Sequence, residues 1–219
     1  MIRIKICGIT NLEDAFTAVD AGADALGFIF VEKTPRFVTP EQVAPIVRRL
    51  PPFVTPVGVF WGHPTGHVKA VAEACGLRAL QFHGDEKPED LEGYDIPVIK
   101  TIKLPPASTI EGLPEFKVSE RVHAARYHGV AAAVLLDTAV RWSEGETRSP
   151  IEWRMTRTWL QMGRLPMILS GGLTPDNVAL AISIVEPYAV DVDSGVEARP
   201  GKKDPDKVRR FVAAARNTR

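Results

Sequence analysis

The sequence predicts an α/β protein built as a single closed (β/α)8 barrel, of the TIM-barrel type, over residues 1–219. Three observations carry the prediction. Short apolar, β-branched segments alternate with segments of helical period from one end of the chain to the other. Eight such pairs can be marked, each about the size of one βα step. Cys7-Gly8-Ile9-Thr10 after the first strand lacks a G-x-G-x-x-G fingerprint, which weakens the rival open sheet of a dinucleotide-binding fold, although alternation alone does not demonstrate closure.

Each element has a local reason. Ile2–Cys7 alternates isoleucine with Arg3, Lys5 and Cys7, the period of a strand, and breaks at Gly8. Asn11 opens a helix over Leu12–Ala21. Ala25–Phe30 is an apolar strand, and Thr39-Pro40 then pairs a capping hydroxyl with proline at the start of a helix over Pro40–Leu50. Val54–Phe60 and Ala79–Phe82 are strands flanking a helix over Pro64–Cys75, and a short helix over Pro88–Gly93 follows. Pro97–Ile102 and Val130–Leu136 are the next strands, with helices over Val118–Tyr127 and Ile151–Gln161. Leu104-Pro105-Pro106 reads as a loop within the barrel, not a domain boundary. Met167–Leu169 and Ala189–Val192 complete the strands. Their helices, over Pro175–Glu186 and Asp204–Arg216, are entered through Thr174-Pro175 and Asp204-Pro205.

Composition narrows the partners. Acidic and basic side chains balance at 27 each, so no global field draws nucleic acid or anionic lipid. The basic cluster Lys202, Lys203, Lys207, Arg209, Arg210, Arg216 and Arg219, broken by Asp204 and Asp206, reads as the solvated face of the last helix. Two cysteines, Cys7 and Cys75, are too few for a disulfide framework and suit a reducing cytoplasm. Ala25–Val31 and Val130–Leu136 are strand-sized apolar runs, and the first residues lack a signal peptide's apolar core, so neither span nor leader is expected. Charge and apolar content leave monomer and homodimer both open.

In such a barrel the chemistry gathers just beyond the strand C-termini. Cys7 ends the first strand on the face it shares with Lys5. A thiol beside cations is expected to favour thiolate and act as base or nucleophile, against the plainer reading of a small buried hydrophobe. Arg36, after the second strand, suits a bidentate clamp on a carboxylate. Gln81 and His83 share a face at the end of the fourth strand, where His83 has either an acid–base role or a hydrogen bond within the barrel. No second histidine lies at ligand spacing from His83, Asp85 and Glu86, so no metal is expected. Asp137 closes the apolar sixth strand, where a carboxyl group must be hydrogen-bonded or keep its proton, as a general acid would. Ser170-Gly171-Gly172-Leu173-Thr174-Pro175 and Ser194-Gly195-Val196 bring small residues and exposed N–H groups to the loops that often hold phosphate.

Several of these stretches together resemble one family. They are Lys5-Ile6-Cys7-Gly8-Ile9-Thr10, Thr34-Pro35-Arg36, Gln81-Phe82-His83-Gly84-Asp85-Glu86, Leu135-Leu136-Asp137-Thr138, Ser170-Gly171-Gly172-Leu173 and Ser194-Gly195-Val196-Glu197. In this order, over nearly the whole chain, they are similar to the phosphoribosylanthranilate isomerases of tryptophan biosynthesis. The resemblance implies a cofactor-free Amadori rearrangement of N-(5-phosphoribosyl)anthranilate to 1-(2-carboxyphenylamino)-1-deoxyribulose 5-phosphate. It makes Asp137 the general acid on the ring oxygen and Cys7 the general base on C2. It gives Arg36 the anthranilate carboxylate, sets Gln81 and His83 against substrate, and puts Asp191 near the amino group. Gly171, Gly172, Ser194 and Gly195 fall in its phosphate loops.

Two stretches differ from the family pattern. The lid over Gly145–Trp153 carries charges where the family has glycines, and Asp193 stands where it usually has serine. A carboxylate there requires a cation, and Arg141 or Arg148 is the expected partner. A paralogue acting on a differently phosphorylated aminosugar, or a barrel that binds a small ligand without turnover, are the alternatives. The retained acid and base argue against the second.

Overall fold

The computed structural model describes residues 1–104, 126–138, 153, 156–157 and 165–218. Eight parallel strands close in chain order into a barrel. They are β1 (Arg3–Ile6), β2 (Ala25–Ile29), β3 (Thr55–Phe60), β4 (Ala79–Phe82), β5 (Val98–Leu104), β6 (Ala133–Thr138), β7 (Met167–Leu169) and β8 (Ala189–Val192). Closure is made by β1 lying parallel to β8, with Lys5 beside Asp191 and Ile6 beside Val192. The described residues include helices α1 (Leu12–Ala21), α2 (Pro40–Val47), α3 (Thr65–Cys75), α4 (Val178–Val185) and α5 (Pro205–Arg216).

Strand alternation sorts the side chains into two cores. Ile4, Ile6, Leu26, Phe28, Leu80 and Phe82 face the helices in the larger one. Val57, Ala79, Ile99, Leu135, Ile168 and Ala189, of the opposite parity, fill the barrel. Further up, the inward positions turn polar with Lys5, Gln81, Thr101 and Asp191, all buried. Gly27 makes this layer possible: a Cβ there would stand 2.6 Å from Cys7 Sγ and 3.1 Å from Lys5 Nζ.

Caps set several boundaries. Asn11 accepts the Asp14 N–H at 2.9 Å to begin α1, and Gly22 ends that helix in the left-handed region. Asp204 accepts from Asp206 and Lys207 N–H groups to begin α5. Thr174-Pro175 is not a cap. The Thr174 N–H donates to Asn177 Oδ1 at 2.8 Å, its carbonyl accepts from Asn177 and Val178, and the turn so formed delays α4 to Val178. Pro88–Leu91 is one 3-10 turn. The helix expected over Val118–Tyr127 lies outside the described residues up to position 125, and Arg126 and Tyr127 form a turn. Of the helix expected over Ile151–Gln161 only Trp153, Thr156 and Arg157 are described, all helical.

The end of the chain corrects a second expectation. Glu197–Arg199 and Lys202–Lys203 pair as an antiparallel hairpin, β9 and β10, ahead of α5. Lys203 is 1 % exposed, not part of a solvated face. Arg216 is likewise tied down, donating to the Ile2 carbonyl at 2.6 Å and to Asp24 at 2.8 Å. Asp14, buried in α1, anchors the hairpin by accepting the Lys203 N–H at 2.8 Å and Lys202 Nζ at 2.7 Å. Replacing Asp14 with alanine strands a buried N–H and is expected to cost about 1–3 kcal/mol. Urea unfolding of the variant against wild type reads that loss directly.

Candidate active site

The mouth is built from strand ends. Cys7 continues β1 by one residue, its N–H bonded to the Val192 carbonyl at 2.8 Å, and its thiol packs against Ile29 and Val59. Sequence neighbours suggest a thiolate, but the folded environment reverses that. Burial outweighs the Lys5 charge and pushes the Cys7 thiol up to about 12, so the resting side chain is a thiol.

Beneath it lies a buried ion pair. Lys5 Nζ is 2.8 Å from Asp191 Oδ1, and Ser170 Oγ is 3.2 Å from the other Asp191 oxygen. Burial pulls Lys5 toward losing its proton, yet its contact with the Asp191 carboxylate opposes burial, and the net direction is upward, so Lys5 stays an ammonium. Burial pushes Asp191 upward, Lys5 opposes it, and the nearby Asp193 and Asp137 carboxylates add to the rise.

Across the mouth, Asp137 is 3 % exposed on β6. The Thr138 N–H donates to its Oδ1 at 2.8 Å, which meets the requirement that so buried a carboxyl group be hydrogen-bonded. His83 Nε2 approaches Asp137 Oδ2 to 3.7 Å. Gln81 is on the same inward face as His83, one layer down, donating to Thr101 at 3.2 Å. Among the described residues Gln81 Oε1, Thr138 Oγ1 and Trp153 Nε1 are buried without a hydrogen-bond partner; of these Gln81 is on the inward face of the mouth.

The two glycine loops interlock. Gly171 has a positive φ of 80°, and a Cβ there would come within 2.7 Å of the Thr138 N atom. A Cβ on Gly195 would collide with the Leu173 carbonyl, so the loop after β8 seats directly on the loop after β7. Asn177 Nδ2 holds the Gly172 carbonyl at 2.9 Å.

Arg36 is already engaged. Its Nε and Nη2 donate to the two Glu197 oxygens at 2.8 and 2.6 Å, and Asp193 Oδ1 lies 2.9 Å from Nε. A carboxylate ligand must therefore use the other, Nη1–Nη2, edge of the fork. Asp193 meets two cations among the described residues. Arg36 and buried Lys203, whose Nζ is 3.0 Å from its Oδ1, are its cations, while Arg141 and Arg148 lie outside the described residues. Glu197 and Lys203 had little sequence signal, one closing a motif and the other hidden in a run of charges. Lys103, one residue past the expected end of the fifth strand, is a further inward-facing residue that the sequence reading missed, because β5 runs on to Leu104.

A closed parallel barrel with a thiol, two carboxyl groups and a lysine on the inner face of its C-terminal mouth has the layout of a barrel enzyme. The model of the N-(5'-phosphoribosyl)anthranilate (PRA) isomerase family matches residues 4–214, and the chain belongs to that family. The N-(5'-phosphoribosyl)anthranilate isomerase of Pelobacter propionicus is 46% identical over 219 residues, covering 100% of this chain and 98% of the relative. A phosphoribosyl anthranilate isomerase solved in complex with reduced 1-(o-carboxyphenylamino)-1-deoxyribulose 5-phosphate superposes with TM-score 0.84 at 39% identity, covering 99% of each chain. Mutually generated monomers of the dimeric Thermotoga maritima isomerase give TM-score 0.83 at 37% identity, again over 99% of each chain.

Burial raises both thiols from an ordinary 9.0, Cys7 to about 12 and Cys75 to about 11. The unfolded chain then gives up these protons at lower pH than the folded one. The stability they lend is complete below about pH 9 and drains away as pH climbs toward 11 and 12. Urea midpoints should decline through that window, and less so in Cys75→Ala; an unchanged slope in that variant would contradict the assignment.

Proposed function

We propose that the chain carries out the Amadori rearrangement of N-(5-phosphoribosyl)anthranilate in tryptophan biosynthesis, in the cytoplasm and without a cofactor. One observation supports it above the rest. Cys7 and Asp137, distant in sequence, end strands of the same barrel on its inner face, with Asp191 between them in electrostatic reach of both.

Asp137 gives a proton to the furanose ring oxygen; the C1–O bond breaks as the nitrogen lone pair forms the C1=N bond. Cys7 as thiolate then takes the C2 proton, and the C–H electrons form the C1=C2 bond of an enolamine as the C1=N pair returns to nitrogen. Tautomerisation moves a proton to C1 and leaves the ketone at C2. One group must be protonated and the other ionised at the same moment.

The resting thiol sets a condition on this sequence. Ring opening creates a cationic imine above the sulfur, and Lys5 and Lys203 add positive charge near it, all favouring thiolate. The thiol proton passes through Lys5 to Asp191, the carboxylate that burial drives toward holding one. Arg36 meets the anthranilate carboxylate with its Nη1–Nη2 edge, His83 and Gln81 border the sugar, and Gly171, Gly172, Ser194 and Gly195 receive the phosphate on backbone N–H groups. Asp193, whose charge would favour a different phosphate end, is matched by Arg36 and Lys203, so the paralogue reading loses its main ground.

Freshly prepared phosphoribosylanthranilate should lose its fluorescence when the purified protein is added. Cys7→Ser and Asp137→Asn are each expected to lower kcat by about 10²–10⁴. Wild-type rates in both variants would remove these two residues from the chemistry.

A further inference from the structure

We propose that Trp61 is a positioning residue whose indole face holds the Lys103 ammonium on the far side of His83, away from the carboxyl group of Asp137. The proposal deepens the reading of Asp137 as general acid and rests on it.

Lys103 and Asp137 are register partners on adjacent strands, β5 and β6, and both take inward positions. Their Cα atoms are therefore about 5 Å apart, well within a lysine's reach of a neighbouring carboxylate. The side chain goes the other way. Lys103 Nζ lies 3.8 Å from the centre of the Trp61 ring. Trp61 follows β3, so Lys103 crosses the end of β4, where His83 stands. The Trp61 and His83 rings are 5.8 Å apart, and His83 Nε2 in turn is 3.7 Å from Asp137.

The indole seats against a backbone that is itself held in place. A Cβ on Gly84 would be 2.5 Å from Trp61 Cδ1, so glycine is what admits the ring. Glu86 Oε1 accepts the N–H of Gly62, next to Trp61, at 2.9 Å and that of Gly84 at 3.2 Å. Its other oxygen pairs with buried Lys100 at 2.7 Å, and Lys100 also holds the Gly84 carbonyl at 2.6 Å.

The chemistry gives this geometry a purpose. A general acid must carry its proton when the ring oxygen needs it, and an ammonium in contact holds a carboxyl group ionised. His83 from β4, Lys103 from β5, Asp191 from β8 and the Lys5–Cys7 end of β1 are the titratable and charged groups around Asp137 on the described elements. Of these, Lys103 is the cation one strand away, and a π face retains it without spending a second carboxylate.

The test compares kcat against pH for wild type, Trp61→Leu, Trp61→Phe and the double variant Trp61→Leu/Lys103→Met. Freed Lys103 is expected to move the alkaline limb of Trp61→Leu down by about one pH unit and cut kcat at pH 8 about tenfold. Trp61→Phe, which keeps a ring, should move it less, and the double variant should return both values to within about twofold of wild type. A kcat loss with an unmoved limb, or no rescue by Lys103→Met, would overturn the proposal. Carbon-13 titration of the Asp137 carboxyl separates this from the acid role itself. A downward move in Trp61→Leu upholds the tether even if Asp137→Asn still turns over, and no move sinks it whatever the activity.

Discussion

The barrel closes where β8 meets β1, and at that seam the Lys5 ammonium and the Asp191 carboxylate face each other at 2.8 Å with almost no exposure. Neither charge is tolerable there alone. Removing one partner of such a pair typically costs about 3–5 kcal/mol, because the other is left buried and unmatched. The pair therefore enforces the register of the seam, since a one-residue slip would turn Lys5 outward into the apolar layer under the helices. It also divides the interior. Below it the barrel is packed with Ala79, Leu135, Ile168 and Ala189; above it stand Cys7 and Asp137.

A second charge group does for the loops what this pair does for the strands. Arg36, Asp193, Glu197 and Lys203 form two cations and two anions within 2.6–3.1 Å of their partners. Gly8, at φ 71°, leaves the space that Asp193 Oδ1 and Arg36 Cδ occupy. The group joins the loop after β2 to the loop after β8 and to the β9–β10 hairpin, with the charges summing to zero. Exposed pairs such as Arg209–Asp206 and Arg210–Asp176 have nothing comparable to hold and contribute little.

The eight strands were legible because runs such as Ala25–Phe30 and Val130–Leu136 are long, apolar and bounded by turn residues. The mouth was legible for the same reason: in a barrel, knowing where a strand stops says where its next side chain points, which brought Cys7, His83 and Asp137 to one end, while Asp191 came only from the family resemblance. Partners far off in sequence were not legible. Asp193 finds Arg36 and Lys203 through tertiary contacts that no local pattern encodes, and Lys203 sits inside a run that reads as surface. Cys7 shows the limit most clearly: its sequence neighbours argue for a thiolate, while burial, invisible in one dimension, decides for the thiol.

The partner that Lys5 needs comes 186 residues later. During synthesis the first strand waits through almost the entire translation of the chain before its counter-ion leaves the ribosome. Partial barrels have an open β1 edge and a cation directed at their own interior, so they stay adhesive and unsettled. A product truncated before Asp191 is therefore not a weakened enzyme but a chain fit for chaperone or protease.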